Sequence, residues 1–144
     1  YITRRFDETG KHISRDDASL IAKLVECHPY YVQQLAQLSW LHTSETCNAA
    51  IVESAFESLV NQLSLLFSNI IDNLTAKQIA FLQAIANGEK NFSSREVLSR
   101  YDLGTSANIK NLRKALLDKD LIDILPDSTV IQDPVFAYWL KKKY

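Results

Sequence analysis

Residues 75–140 hold three runs with helical apolar spacing, then two short β-prone runs around a Pro-Asp pair, then a closing amphipathic run. Thr75 stands before Ala76 to Ala86, where its hydroxyl can accept from a first-turn N–H. Ile79, Leu82, Ile85 and Ala86 recur on one stripe, with Lys77 and Gln83 off it. Asn87-Gly88 stops that helix, since Gly accepts the left-handed backbone of a C-terminus. Ser93-Ser94-Arg95-Glu96 reads as a capping box, Ser93 bonding forward and Glu96 reaching back. The short helix that follows points Val97 and Leu98 inward and ends near Tyr101. Asp102-Leu103-Gly104-Thr105 makes the turn, and Thr105 or Ser106 caps a helix from Ala107 to Lys119. Its Ile109, Leu112, Leu116 and Leu117 are assigned to the core.

Helix, tight Gly-containing turn, helix is the helix-turn-helix order. Leu121 to Leu125 and Ser128 to Ile131, joined by Pro126-Asp127, add a hairpin, which makes the whole a winged helix-turn-helix. Asp133-Pro134 opens the last helix, and Phe136, Trp139 and Leu140 clamp it to the others. The expected fold is mainly α: a helical, lid-like bundle over residues 1–72, followed by a winged helix domain with a short β-hairpin wing over 73–144.

Within the bundle, Tyr1 to Gly10 reads as the end of a helix, with Ile2 and Phe6 on one face, that Thr9-Gly10 stops. Ser14 caps a second helix, Arg15 to about Cys27, with Ala18, Ile21, Ala22 and Val25 on one stripe. Pro29 starts a third, running to about Leu41 with Val32, Leu35, Ala36 and Leu38 apolar. His42 to Cys47 is a polar link. The longest helix spans about Asn48 to Ile71 on Ile51, Val52, Ala55, Leu59, Leu63, Leu66 and Ile70. Asp72-Asn73 breaks it and sets the expected boundary.

With 144 residues, and with Gly and Pro scarce, the chain is long enough for one ordinary domain or two small ones. No apolar run approaches the ~20 residues that a membrane span needs, and no signal-peptide pattern opens the chain. Cys27 and Cys47 alone do not imply a disulfide framework, so a cytoplasmic setting is expected. Starting at Tyr1 and containing no Met, the sequence is expected to be a fragment of something longer. Residues 1–72 carry five Lys/Arg against nine Asp/Glu, and residues 73–144 carry eleven against eight. Lys141, Lys142 and Lys143 supply the whole positive excess of the second half, so a basic stripe of the kind nucleic-acid binders carry is nearly absent.

Catalysis finds little support. Cys27-His28 are adjacent, which does not align thiolate and imidazole, and no third group orients them. Two Cys and three scattered His show no zinc spacing, so no metal is expected. A phosphate loop with its Lys is missing, so the chain is not expected to bind ATP alone. Lys110, Asn111, Arg113 and Lys114 lie on the presumed recognition helix, where they can meet phosphates or base edges of duplex DNA. The bland alternative is a solvated helix face. Asp123, Asp127 and Asp133 surround the wing, and no Lys or Arg occurs between Asp120 and Leu140, which weakens duplex binding. Tyr30, Tyr31 and Trp40 are aromatics on the third helix, for which plain packing is the bland alternative. His28 stands at a helix start, where the dipole favours an anion.

His28-Pro29-Tyr30-Tyr31-Val32-Gln33-Gln34-Leu35-Ala36 resembles the H-P-Y-Y-x-Q-x-L-A segment of archaeal-type AAA+/STAND ATPases. In that family a helical lid follows the nucleotide-binding core, and a winged helix follows the lid. Phe6 with Gly10 to Ile13, Leu74 to Gln78, Ser94, the Tyr101 to Gly104 turn and Asp133 to Leu140 match in the same order. The resemblance spans nearly the whole chain. It implies a C-terminal regulatory fragment whose parent carries the Walker motifs, binds ATP with magnesium and hydrolyses it. It further implies that His28 and Pro29 lie against the nucleotide in the parent, although no Arg stands there to act as an arginine sensor. The partners it implies are the parent's own N-terminal nucleotide-binding core or another protein. A winged-helix DNA-binding module and a protein-interaction scaffold are the competing expectations.

Overall fold

A computed structural model describes residues 1–143. The chain divides into two compact units, Tyr1–Ser64 and Leu65–Tyr144. Both are mainly helical, as the apolar periods predict.

The first unit runs α1 (Ile2–Glu8), β1 (His12–Ile13), α2 (Arg15–Leu24), α3 (Pro29–Leu41), β2 (Thr46–Cys47) and the start of α4 (Ala49–Asp72). Ser14 caps α2, its Oγ accepting from Asp17 N–H at 3.1 Å, with Asp16 and Asp17 in the first turn where the helix dipole favours them. Phe6, Ile21, Val25, Leu35, Val52 and Phe56 form the buried centre. Every fourth residue of α3 faces inward, through Tyr31, Leu35 and Ser39, whereas Val32, Ala36 and Leu38 are only half-buried. Trp40 donates from Nε1 to Thr9 Oγ1 at 2.7 Å, while Lys11 Nζ sits 3.9 Å from its ring centroid and donates to its carbonyl.

Two features depart from the sequence expectation here. The presumed polar link contains β2, which pairs parallel with β1, His12 opposite Thr46 and Ile13 opposite Cys47. Runs of two residues carry no period to detect, and burial of Ile13 and Cys47 holds them in place. Helix α2 stops at Leu24 rather than Cys27, because Glu26 and Cys27 both take positive φ, 51° and 59°.

The second unit contains the last turns of α4, then α5 (Ala76–Ala86), α6 (Arg95–Arg100), α7 (Ser106–Asp118), β3 (Ile122–Ile124), β4 (Thr129–Ile131) and α8 (Pro134–Lys143). Thr75 caps α5 in a full capping box: Gln78 N–H donates to Thr75 Oγ1 at 3.2 Å, and Thr75 N–H donates to Gln78 Oε1 at 3.0 Å. The box expected at Ser93 and Glu96 is absent. Ser94 caps α6 instead, accepting from Val97 N–H, and the residue three places on is Val97, which has no group to reach back. Thr105 is the N-cap of α7 without a side-chain bond. Asp133 Oδ1 accepts from both Val135 and Phe136 N–H at the start of α8.

β3 and β4 pair antiparallel, Ile122 with Ile131, Asp123 with Val130 and Ile124 with Thr129, which is the expected wing. Phe67, Phe81, Leu82, Leu103, Leu116, Phe136 and Leu140 are fully buried. On α4 the inward stripe is Phe67 and Ile71, not Leu66 and Ile70: Leu66 is 54% exposed. Phe67 rings lie 5.2 Å from Phe136 and 5.6 Å from Trp139, so the larger aromatic takes the seat the spacing alone assigned to leucine. The two compact units meet at Ser64, inside α4, whereas the sequence reading sets the boundary at Asp72. Leu117, expected in the core, is 36% exposed, since Ile109, Leu112 and Leu116 already fill the inward face of α7.

Candidate functional site

The connection from α2 to α3 is the most constrained backbone in the first unit. Consecutive non-glycine residues in the left-handed region are uncommon, and here Glu26 and Cys27 precede His28. Hydrogen bonds from Cys27 N–H to Ala22 O (2.8 Å) and His28 N–H to Val25 O (3.0 Å) hold that reversal. His28 is then the N-cap of α3 in an extended conformation, its side chain making no cap bond, and Pro29 occupies the first turn. Its ring lies 4.7 Å from the Tyr31 ring, and its Nδ1 is buried without a hydrogen-bond partner among the described residues. The His28 ring thus stands at the positive end of a thirteen-residue helix, where an anion is favoured, while its Nδ1 is itself closed off from solvent. Cys27 is exposed, and no geometry joins its thiol to the His28 ring as an activated pair.

The second group of sequence-predicted residues is split by the helix. Lys110, Asn111 and Lys114 are exposed along one face of α7, where an incoming phosphate or base edge is reachable. Arg113 turns aside, half-buried, with its Nε buried and unpartnered. The turn leading into α7 is held by two side-chain bonds. Asp102 takes φ 53°, Lys77 Nζ donates to its carbonyl at 3.0 Å, and Asn108 Nδ2 donates to Leu103 O at 3.1 Å. Gly104, at φ 87°, lies where an added Cβ would stand 3.6 Å from Lys77 Nζ. Around it Ser93, Arg95, Ser99 and Ser106 line a shallow concavity. Sequence reasoning passed over Arg95, whose signal was its place in the first turn of α6, just ahead of α7.

The wing lacks the cations that a groove-reading wing would carry. Asp123 and Asp127 are exposed on it, beside Ile124, Leu125 and Val130. Among the described residues no group of three or more His, Cys, Asp or Glu side chains could hold a metal ion. No described helix is long and apolar enough to cross a membrane.

The model of the family described as a probable winged helix domain matches residues 65–142. The chain belongs to this family. The winged helix match begins where the second compact unit begins, and it takes in the last turns of α4 together with α5 to α8. Winged helix domains serve as DNA-binding or interaction modules, and that is the level of function the match supports. No curated protein and no solved structure matches the chain.

Proposed function

We propose that this chain is the lid and winged-helix region of a nucleotide-switched ATPase of the AAA+/STAND kind, acting in the cytoplasm as its regulatory part. The single observation that carries the reading is the start of α3. There a strained reversal at Glu26 and Cys27 presents His28, with an unpartnered buried Nδ1, beside Pro29 at the positive end of the helix. Holding two left-handed non-glycine residues in succession is unfavourable, and such strain concentrates at ligand clamps and switches. The sequence resemblance assigns the same two residues to nucleotide contact.

The donor set fits a nucleotide and not its magnesium, which residues of the nucleotide-binding core would hold. ATP supplies the phosphates whose presence or loss distinguishes the two states of the switch. His28 and Pro29 read the nucleotide, and the winged helix passes the result to that core or to a partner protein. Such a switch moves only if nucleotide binds one arrangement better than the other. In the full-length parent, His28→Ala is expected to weaken binding of a fluorescent ATP or ADP analogue about tenfold, roughly the loss of one good polar contact, and Pro29→Ala to weaken it less, since it only loosens the first turn that holds His28. Unchanged affinity in both variants would sink the proposal.

A second reading, duplex DNA binding, is favoured by the shared exposed face of Lys110, Asn111 and Lys114 on α7. It predicts anisotropy changes with labelled duplex at low salt that vanish at moderate salt and on replacing Lys110 and Lys114. No change at low salt removes it.

A further inference from the structure

We propose that the groove between α1 and α3 takes an extended segment of a partner protein, one carrying an aliphatic residue and an acidic residue two places along. His28 and Pro29 lie outside the groove lining, so failure here leaves the nucleotide reading untouched.

The two helices stand apart over a hollow of about 540 Å³, within the size range of ligand sites. Its floor is apolar, made by Ile2 and Phe6 of α1 and Ala36 of α3. Trp40 walls one end and is fixed in place. Its Nε1 donates to Thr9 Oγ1 at 2.7 Å, and Lys11 Nζ stands 3.9 Å from its ring centroid while donating to its carbonyl at 2.8 Å. Such a wall is ordered before any ligand arrives, which lowers the cost of binding.

Gln33 and Gln37 set the backbone register. Both line the groove, one turn apart on the exposed side of α3, about 6 Å along its axis. An extended chain repeats the N–H and C=O of one edge at every second residue, about 6.6 Å. A carboxamide offers both a donor and an acceptor, and neither Gln is engaged with another protein group among the described residues. Each can therefore hold the main chain of one residue, the two being alternate residues of the same segment. From Gln33 to Trp40 the groove runs about 10 Å, room for about three extended residues. A helix would bring a main chain already bonded to itself and would answer neither amide with it.

Charge selects the residue beside the aliphatic anchor. Arg4 and Arg5 both approach Glu8, at 3.8 Å and 4.0 Å, which leaves one positive charge of the three uncompensated. Arg5 lines the groove with its side chain 63% exposed, so a carboxylate on the incoming segment meets the fork of its guanidinium. Nucleic acid is disfavoured, because residues 1–72 hold nine Asp/Glu against five Lys/Arg.

The test uses the full chain and a labelled, end-blocked serine–leucine–serine–glutamate–serine peptide, followed by anisotropy. Controls are the same peptide with lysine for glutamate, and the same peptide with an N-methylated backbone. The expected result is binding of the first peptide alone, with amide chemical-shift changes concentrated at 2–9 and 33–40 and a shift of the Trp40 indole N–H. Gln33→Ala with Gln37→Ala, on an exposed helix face, is expected to weaken binding about tenfold without loss of helical circular dichroism. Arg5→Gln is expected to abolish the preference for glutamate over lysine. No binding at about 1 mM peptide, the threshold of weak association, overturns the proposal. So do equal affinity for the N-methylated peptide, equal affinity for free 4-methylpentanoate, or shifts centred outside the groove.

Discussion

Single side chains at helix ends carry much of the local specification. The reciprocal bonds of Thr75 and Gln78 satisfy two donors that would otherwise stay open at the start of α5. Thr75→Ala is expected to lower stability by about 1 kcal/mol, measured as a shift in urea midpoint, because an N-cap hydroxyl contributes on that order. Ser93→Ala should change little, since Ser94 is the cap of α6. Cys47 offers a pH test. Burial raises its thiol above the ordinary value, the hydrogen bond with Thr43 lowers it in part, and the Asp17 carboxylate raises it further. The folded chain thus holds this proton more tightly than the unfolded chain. The contribution is fully present below the ordinary thiol value of 9.0 and is lost as pH rises through the raised folded value. Cys47→Ala is expected to lose less stability than the wild type in alkaline buffer, read from denaturant midpoints compared across pH.

At the scale of elements, α4 shows both the reach and the limit of reading apolar spacing. The helix itself, its length and its break at Asp72 are legible, because Ile51 to Ile70 sustain one period over many turns. Its register is not. Leu66 and Phe67 both fit an amphipathic stripe, and only the rings of Phe136 and Trp139, distant in sequence, choose between them. Phe67→Ala is expected to destabilise the second unit by about 3–5 kcal/mol and Leu66→Ala by well under 1 kcal/mol, the difference between emptying a core site and trimming a surface one. Equal effects would reverse the assignment. The hairpin was legible for a related reason, two β-prone runs around Pro126-Asp127, whereas the β1–β2 pair depends on contacts between residues far apart in the chain. The α3 start was half legible: His28 and Pro29 are visible as a cap and a first-turn proline, but the left-handed pair ahead of them belongs to residue types that give no warning.

For the molecule as a whole, charge separates the two halves. Without the three terminal lysines the second half balances, eight Lys/Arg against eight Asp/Glu, and α7 holds three of those cations, Lys110, Arg113 and Lys114, against Asp118. If duplex is bound, Lys110 and Lys114 on the exposed face of α7 limit the phosphates neutralised to about two, so log affinity should fall with log salt at a slope of about −2. A much steeper slope would point to additional basic contacts, and an absent one to protein partners alone. The location of Phe67 and Ile71 also bears on how the molecule can be trimmed. A polypeptide started at Asn73 would keep every helix after α4 yet leave Phe136 and Trp139 facing an unfilled void. One started ahead of Leu65 retains the plug, and only that longer piece should melt as a single sharp transition.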